Sequence, residues 1–174
     1  DSDLLDIGIL ATPLNEPTLR EVPLFYEPFV LYADASNGIL ERNEPVDANE
    51  LTPEGLWLLG QGHCLRNHTL NICRFDQLDT QRKLMMEGGS IETLKKMVQE
   101  ISGYILIPEL AFDRVQDADH VKRFIQPEPV REVSLVVHKS FTKERLLAAL
   151  RESIIAHTPE QFKKSKRFVT VEWR

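Results

Sequence analysis

The sequence lacks the features of a membrane-bound or secreted protein. No apolar run approaches the ~20 residues that a membrane-spanning helix needs, although 42% of the 174 residues are hydrophobic. The first ten residues, DSDLLDIGIL, contain no basic side chain, so they do not resemble the start of a signal peptide. We therefore expect a cytoplasmic protein without a membrane segment.

An excess of positive charge is missing as well. The chain has 21 Lys and Arg against 27 Asp and Glu, which gives a formal net charge of −6. A negative surface repels the phosphate backbone of nucleic acids. We expect that these residues do not bind DNA themselves and that any DNA contact comes from another part of the protein.

Cysteine is scarce, because only Cys64 and Cys73 occur. Two are too few for a secreted disulfide scaffold, and in a reducing compartment a close pair is more often metal-binding, catalytic or redox-sensing. Two ordinary buried cysteines are the simplest alternative. Zinc is another, with His63 and His68 as further ligands, but neighbours such as His63 and Cys64 rarely point at one metal and no C-x-x-C unit is present. We expect neither a metal nor another cofactor.

Short apolar runs alternate with helical stretches, which predicts an α/β fold with largely parallel, buried strands. The predicted strands span residues 7–11, 29–33, 56–59, 104–107 and 133–137. Ser90 is the expected cap of a helix over 91–101 that ends at Gly103. A second helix is predicted over 143–157, before Pro159.

Prolines mark residues 23–28 and 126–129, which we interpret as paired crossings between two lobes. Residues 28–128 then form one lobe, and residues 1–27 plus 129–174 form the other, with a cleft between them. The chain opens without a methionine on a strand-like DIGILAT, so we expect a fragment of a longer protein.

One window of the sequence contains no acidic residue. Between Gly55 and Phe75 the ionisable side chains other than the two cysteines are all basic: His63, Arg66, His68 and Arg74. A positive field, together with a helix that starts after a Gly60 to Gly62 turn, lowers a thiol pKa from ~8.5. A thiolate at Cys64 can attack a peroxide oxygen, and a second thiol can capture the resulting sulfenic acid.

The spacing of the two cysteines sets what such a capture requires. If residues 64–73 form one helix, nine steps of ~1.5 Å separate the two Cα atoms by ~13.5 Å along the axis, on opposite faces. A disulfide needs Cα atoms ~4.4–6.8 Å apart. We hypothesise that oxidation unwinds this segment and thereby switches the conformation.

The segment GHCLRNHTLNIC resembles the OxyR group of LysR-type transcription regulators, in which Gly-His-Cys-Leu-Arg precedes a second cysteine at this spacing. EVPLFYEPFVLY, SIETLKKMVQEISGYILIPELA and QPEPVREVSLVV extend the resemblance along the chain. It implies a two-lobe α/β regulatory domain of the type 2 periplasmic-binding-protein kind, N-terminally incomplete and assembled into dimers and tetramers. It also implies a winged helix-turn-helix outside this chain and a glutaredoxin-type thiol reductant that resets the switch.

The resemblance also assigns roles to residues. Cys64 matches the peroxide-reactive cysteine and Cys73 the resolving one. His63 and Arg66 match polar neighbours of the reactive thiol, and Arg131 matches an arginine that would be a second cation near it. The alternatives are a packed, hydrogen-bonded imidazole for His63, a solvated side chain for Arg66 and a salt bridge at the lobe junction for Arg131.

The preferred function is therefore a hydrogen peroxide sensor that regulates transcription and is not a scavenging enzyme. A small-molecule effector domain is the first alternative, with Ser90 and the N-terminus of its helix holding an anion in the cleft. Ser90 as an ordinary helix cap is the competing interpretation of that residue. A thiol peroxidase is the second alternative, and it is disfavoured because nothing in the sequence resembles a peroxidase fold.

Overall fold

The computed structural model describes residues 5–75, 85–86, 89–163 and 167–172. A six-stranded sheet forms its centre. The strands of this sheet are β1 (Ile7–Thr12), β2 (Leu19–Ala33), β5 (Tyr104–Pro108), β6 (Val121–Arg123), β7 (Glu128–His138) and β8 (Phe168–Thr170). A two-stranded sheet consists of β3 (Leu58–Leu59) and β4 (Met85–Met86), and the helices are α1 (Gly38–Glu41), α2 (Cys64–Cys73), α3 (Ile91–Ile101) and α4 (Glu144–His157).

The α/β class is confirmed, but the predicted parallel strand direction is wrong for the main sheet. β2 pairs antiparallel with β5, β6 and β7, and β1 pairs antiparallel with β7. Among the described strands, only β7 with β8 and β3 with β4 run parallel. The error has a physical cause. A continuous apolar run such as residues 29–33 reports burial on both faces of a strand and carries no information about its direction.

The two predicted helices are found. The hydroxyl of Ser90 accepts a hydrogen bond from the backbone N–H of Thr93 at 3.2 Å, which caps α3. After α3 the chain passes through Gly103, whose φ is +106°. A Cβ at this position would lie 2.2 Å from the Gly55 carbonyl oxygen, so only glycine fits. α4 starts one residue later than predicted, and its apolar face is only partly covered because Leu146 is 53% exposed.

The first predicted crossing, residues 23–28, lies within β2, and the second, residues 126–129, runs into the start of β7. Glu27 of β2 pairs with Arg131 of β7, and Pro28 pairs with Val130. The buried apolar residues fall into two clusters, a large one between residues 29 and 124 and a small one around Leu135. The lobe boundaries themselves remain a prediction. In the part of the chain that the structure describes, no helix is both long and apolar enough to cross a bilayer.

Candidate functional site

Helix α2 begins at Cys64, directly after a tight turn. Gly62 has a φ of +92°, a backbone region that favours glycine. His63 occupies the N-cap position, but its exposed side chain does not cap the helix. No acidic residue stands in the first turn of α2. The positive end of the helix dipole is therefore not neutralised locally, and it favours a negative charge at the position of Cys64.

Helix α2 is continuous from one cysteine to the other, and both cysteines are free. Residues 64–73 therefore form a single helix, as the argument about the disulfide assumed. The two Cα atoms are separated by ~13.5 Å of helical rise and by half a rotation about the axis. That separation is about twice the upper limit for a disulfide, so the two sulfur atoms cannot bond while α2 is intact.

The two thiols lie in different environments. Cys64 shares the outward side of α2 with Asn67 and Asn71, and it is half-buried. Cys73 is 5% exposed and belongs to the large apolar cluster. Burial raises the pKa of the Cys73 thiol to about 12. The outer sulfur is open to a small oxidant, whereas the inner sulfur stays protonated and enclosed.

Arg66 lies two residues after Cys64 and is buried, with 4% of its surface exposed. Its guanidinium donates a long hydrogen bond of 3.4 Å to the Leu59 carbonyl oxygen. No carboxylate in the described part of the chain forms an ion pair with it. Burial lowers the pKa of the Arg66 guanidinium. The interpretation of Arg66 as a solvated surface residue is therefore wrong.

Arg131 forms the salt bridge that was the alternative to its predicted role. Its Nε donates to Oε2 of Glu27 at 2.8 Å, and a second guanidinium nitrogen lies 2.7 Å from the same oxygen. The charge of Arg131 also contributes to lowering the pKa of His68 on α2. The guanidinium therefore lies close enough to α2 for its charge to act on His68. Its role as a cation for the Cys64 thiolate remains a prediction.

His68 is fully buried, which was not predicted from the sequence. Its side chain is 0% exposed and packs against Phe29, with ring centroids 5.2 Å apart. Neither ring nitrogen has a hydrogen-bond partner of good geometry among the described residues. Burial, and then the charge of Arg131, lower the pKa of His68 to about 4, against the opposing effect of the Cys64 carbonyl.

The imidazole of His68 is consequently neutral at pH 7, so the expected positive field loses one of its four basic groups. The burial of His68 could have been predicted from the helical spacing of the sequence. His68 shares an i, i+3, i+4, i+7 pattern with Leu65, Thr69 and Ile72, all of which are buried.

The other two predicted site residues, His63 and Ser90, occupy the N-cap positions of two different helices, α2 and α3. His63 is exposed, so the packed-imidazole interpretation is wrong. The Ser90 hydroxyl is engaged with Thr93, as an ordinary cap would be, and an anion site there remains a prediction. Within the described ranges, no three His, Cys, Asp or Glu side chains form a metal-binding group. Cys64 and Cys73 stand at opposite ends of α2, which separates the four residues of the zinc alternative.

Comparison with protein families gives a match over residues 1–159 to the LysR substrate binding domain. The DNA-binding transcriptional dual regulator OxyR of Escherichia coli K12 is 33% identical over 166 residues, which are 94% of this chain and 53% of that protein. The hydrogen peroxide-inducible genes activator of Dickeya chrysanthemi is 33% identical over 159 residues, 90% of this chain and 51% of that protein. The chain thus spans about half the length of the curated relatives it matches.

Comparison with solved structures also gives matches to OxyR proteins. OxyR from Porphyromonas gingivalis is 26% identical with a TM-score of 0.82, over 97% of this chain and 77% of that one. The reduced form of the OxyR regulatory domain from Pseudomonas aeruginosa is 29% identical with a TM-score of 0.73, over 87% of this chain and 73% of that one.

Proposed function

The chain belongs to the LysR substrate binding domain family, and on that premise we propose that it is the hydrogen peroxide-sensing regulatory domain of a cytoplasmic transcription regulator. The relative named as a hydrogen peroxide-inducible genes activator and the relative named as a DNA-binding transcriptional dual regulator support this proposal. DNA would be bound by a winged helix-turn-helix outside these residues. The protein would work as a dimer or tetramer, and a glutaredoxin-type thiol reductant would reset it.

The first chemical step takes place at Cys64. Its thiolate attacks one oxygen of hydrogen peroxide, the O–O bond breaks, and the hydroxide that leaves takes up a proton from the solution to form water. Sulfur is oxidised to sulfenic acid and peroxide is reduced. The uncapped N-terminus of α2 and the buried charge of Arg66 support the thiolate in this step. In the proposal, His63 and Arg131 supply further polar contacts to the peroxide.

The second step joins the two ends of α2. The Cys73 sulfur attacks the sulfenic sulfur, water leaves, and a disulfide forms between residues 64 and 73. The observation that carries the proposal is the continuous helix between two free cysteines on opposite faces. Because an intact helix holds them too far apart, bond formation requires α2 to unwind, and this rearrangement is the proposed signal.

The test uses the reduced protein and one equivalent of hydrogen peroxide, followed by a free-thiol count and peptide mass mapping. We expect the loss of two thiols and one internal link between residues 64 and 73. Cys64→Ser should abolish the response, whereas Cys73→Ser should stop at a sulfenic acid that a dimedone-type reagent traps. Equal peroxide sensitivity of the two variants would contradict the assigned roles. An effector-binding domain or an inert cysteine pair would keep both thiols.

A further inference from the structure

We propose that His68 couples disulfide formation to the uptake of one proton, so that the peroxide switch also responds to acid. This inference rests on the proposed function, because it requires that α2 unwinds when Cys64 bonds to Cys73. It adds a group that belongs to neither thiol and that changes its protonation state when the helix opens.

The position of His68 makes the coupling unavoidable once α2 opens. The residue lies inside the segment that the disulfide would close, four positions after Cys64 and five before Cys73. Its imidazole is fully enclosed and packs on Phe29 of β2. No described group bonds either ring nitrogen with good geometry. A segment that unwinds between its two ends cannot keep this ring in place, so the imidazole passes from an apolar site into water.

The surroundings of the ring disfavour the charged form. Arg131 of β7 is the charged group whose field acts on His68, and Glu27 of β2 pairs with that guanidinium. Phe29 supplies an apolar face from β2. On α2 itself, the Cys64 carbonyl favours a proton on His68, but burial and Arg131 outweigh it. Among the described residues, no carboxylate contributes to the shift in the pKa of His68.

The sign of the coupling follows from the two states. In the intact helix the pKa of His68 is about 4, whereas a solvated histidine has a pKa of ~6.5. Between these values the opened state binds a proton that the helical state does not. As pH falls through this range, the opened, oxidised form becomes more stable relative to the helical, reduced form. At pH 5 the gain in the equilibrium constant is about 30-fold over a protein without this group.

The proton balance offers a direct measurement. Two protonated thiols and one hydrogen peroxide give one disulfide and two waters without net proton exchange, whereas each Cys64 that is already a thiolate takes up one proton to complete the second water. This sulfur contribution does not depend on His68, so the difference between the parent protein and a variant without the imidazole reports His68 alone. Uptake by His68 would add to this balance about 0.9 proton per disulfide at pH 5 and almost none at pH 8.

The experiment oxidises the reduced protein with one equivalent of peroxide in weakly buffered solution and reads the pH change with an indicator dye, with the disulfide counted in parallel. At pH 5 we expect the parent protein to take up about 0.9 proton more per disulfide than His68→Gln, which keeps a polar side chain of similar size. His157→Gln is the matched control. That imidazole is exposed at the end of α4, so its removal should leave the uptake unchanged.

Equal uptake in the parent protein and in His68→Gln, with the disulfide formed in both, would overturn the role of His68 and leave the proposed function standing. Absence of the internal disulfide would overturn both. Imidazole NMR of the unmodified protein gives a second test that needs no variant. The pKa of His68 should rise from about 4 in the reduced form to near 6.5 in the oxidised form, and an unchanged value would refute the inference.

Discussion

Arg131 and Glu27 form a bonded pair across the two longest strands, at the point where β2 and β7 run side by side. The carboxylate is 1% exposed, and its second oxygen accepts a hydrogen bond from the backbone N–H of Leu110 at 2.9 Å. A buried carboxylate is costly unless it is paired and bonded. The pair therefore fixes the backbone of β2, β7 and the segment after β5 relative to one another.

Arg131→Gln should destabilise the protein by about 3 kcal/mol, because it leaves Glu27 buried without its cation. Urea unfolding at pH 7 measures the change. Glu27→Gln combined with Arg131→Gln should recover part of the loss, since no buried charge then remains. The single variant should also raise the pKa of His68, whose charged form Arg131 disfavours. Unfolding free energies within 0.5 kcal/mol of the parent would contradict the pairing.

Arg74→Gly should stabilise the reduced form. Arg74 follows α2 with φ +55° and ψ 35°, a left-handed conformation that costs a residue with a Cβ about 1 kcal/mol. Glycine removes that cost, so the thermal midpoint should rise. If helix opening limits disulfide formation, the second thiol should disappear up to about fivefold more slowly.

Arg42→Gly provides the control for this substitution. Arg42 also follows a helix, but its φ is −68°, so glycine relieves nothing there and stability should fall slightly. A faster or unchanged loss of the second thiol in a stabilised Arg74→Gly protein would show that opening of α2 does not set the rate.

The reduced protein should lose stability in mild acid through His68. The unfolded chain takes up a proton on this residue at pH values below ~6.5, whereas the folded state resists until about pH 4. The contribution to the unfolding free energy between pH 7 and pH 5 is about 2 kcal/mol. Urea titrations of the parent protein and of His68→Gln at both pH values measure this contribution as the difference between the two proteins. Parallel losses in the two proteins would remove His68 as the cause.

Oxidation should also weaken the protection of β8 and of the two residues after it against amide exchange. The side-chain amide of Asn71, on the outward face of α2, donates to the Glu172 carbonyl oxygen at 2.6 Å. Unwinding α2 breaks this bond, so amide exchange in residues 168–172 should become faster in the oxidised protein. Asn71→Ala should produce part of the same effect in the reduced protein. Identical protection in both redox forms would argue against a rearranged helix.

Local signals in the sequence predicted a large part of the fold. Helix α3 is marked by the Ser90 cap, its apolar spacing and Gly103, all within fifteen residues. For helix α2 the glycine turn indicated the start, whereas its continuity to Cys73 was an assumption that the structure meets. These features depend on neighbouring residues only, and a single sequence therefore contains them.

Other features depend on partners far away in the chain. Strand direction in the main sheet is set by how β2 meets β7, more than 100 residues later, and apolar runs do not encode it. The same distance separates Glu27 from Arg131. The charge of His68 could not be read from its residue type, because the neighbours that enclose it, not its identity, set its pKa.

The enclosure of Cys73 gives the proposed switch a built-in delay. A sulfenic acid at Cys64 has to persist until α2 opens and exposes its partner sulfur. During that lifetime a second oxidant molecule can convert it to sulfinic acid, which a thiol no longer reduces. The opening rate of one ten-residue helix would therefore set the highest peroxide dose that the protein reports reversibly.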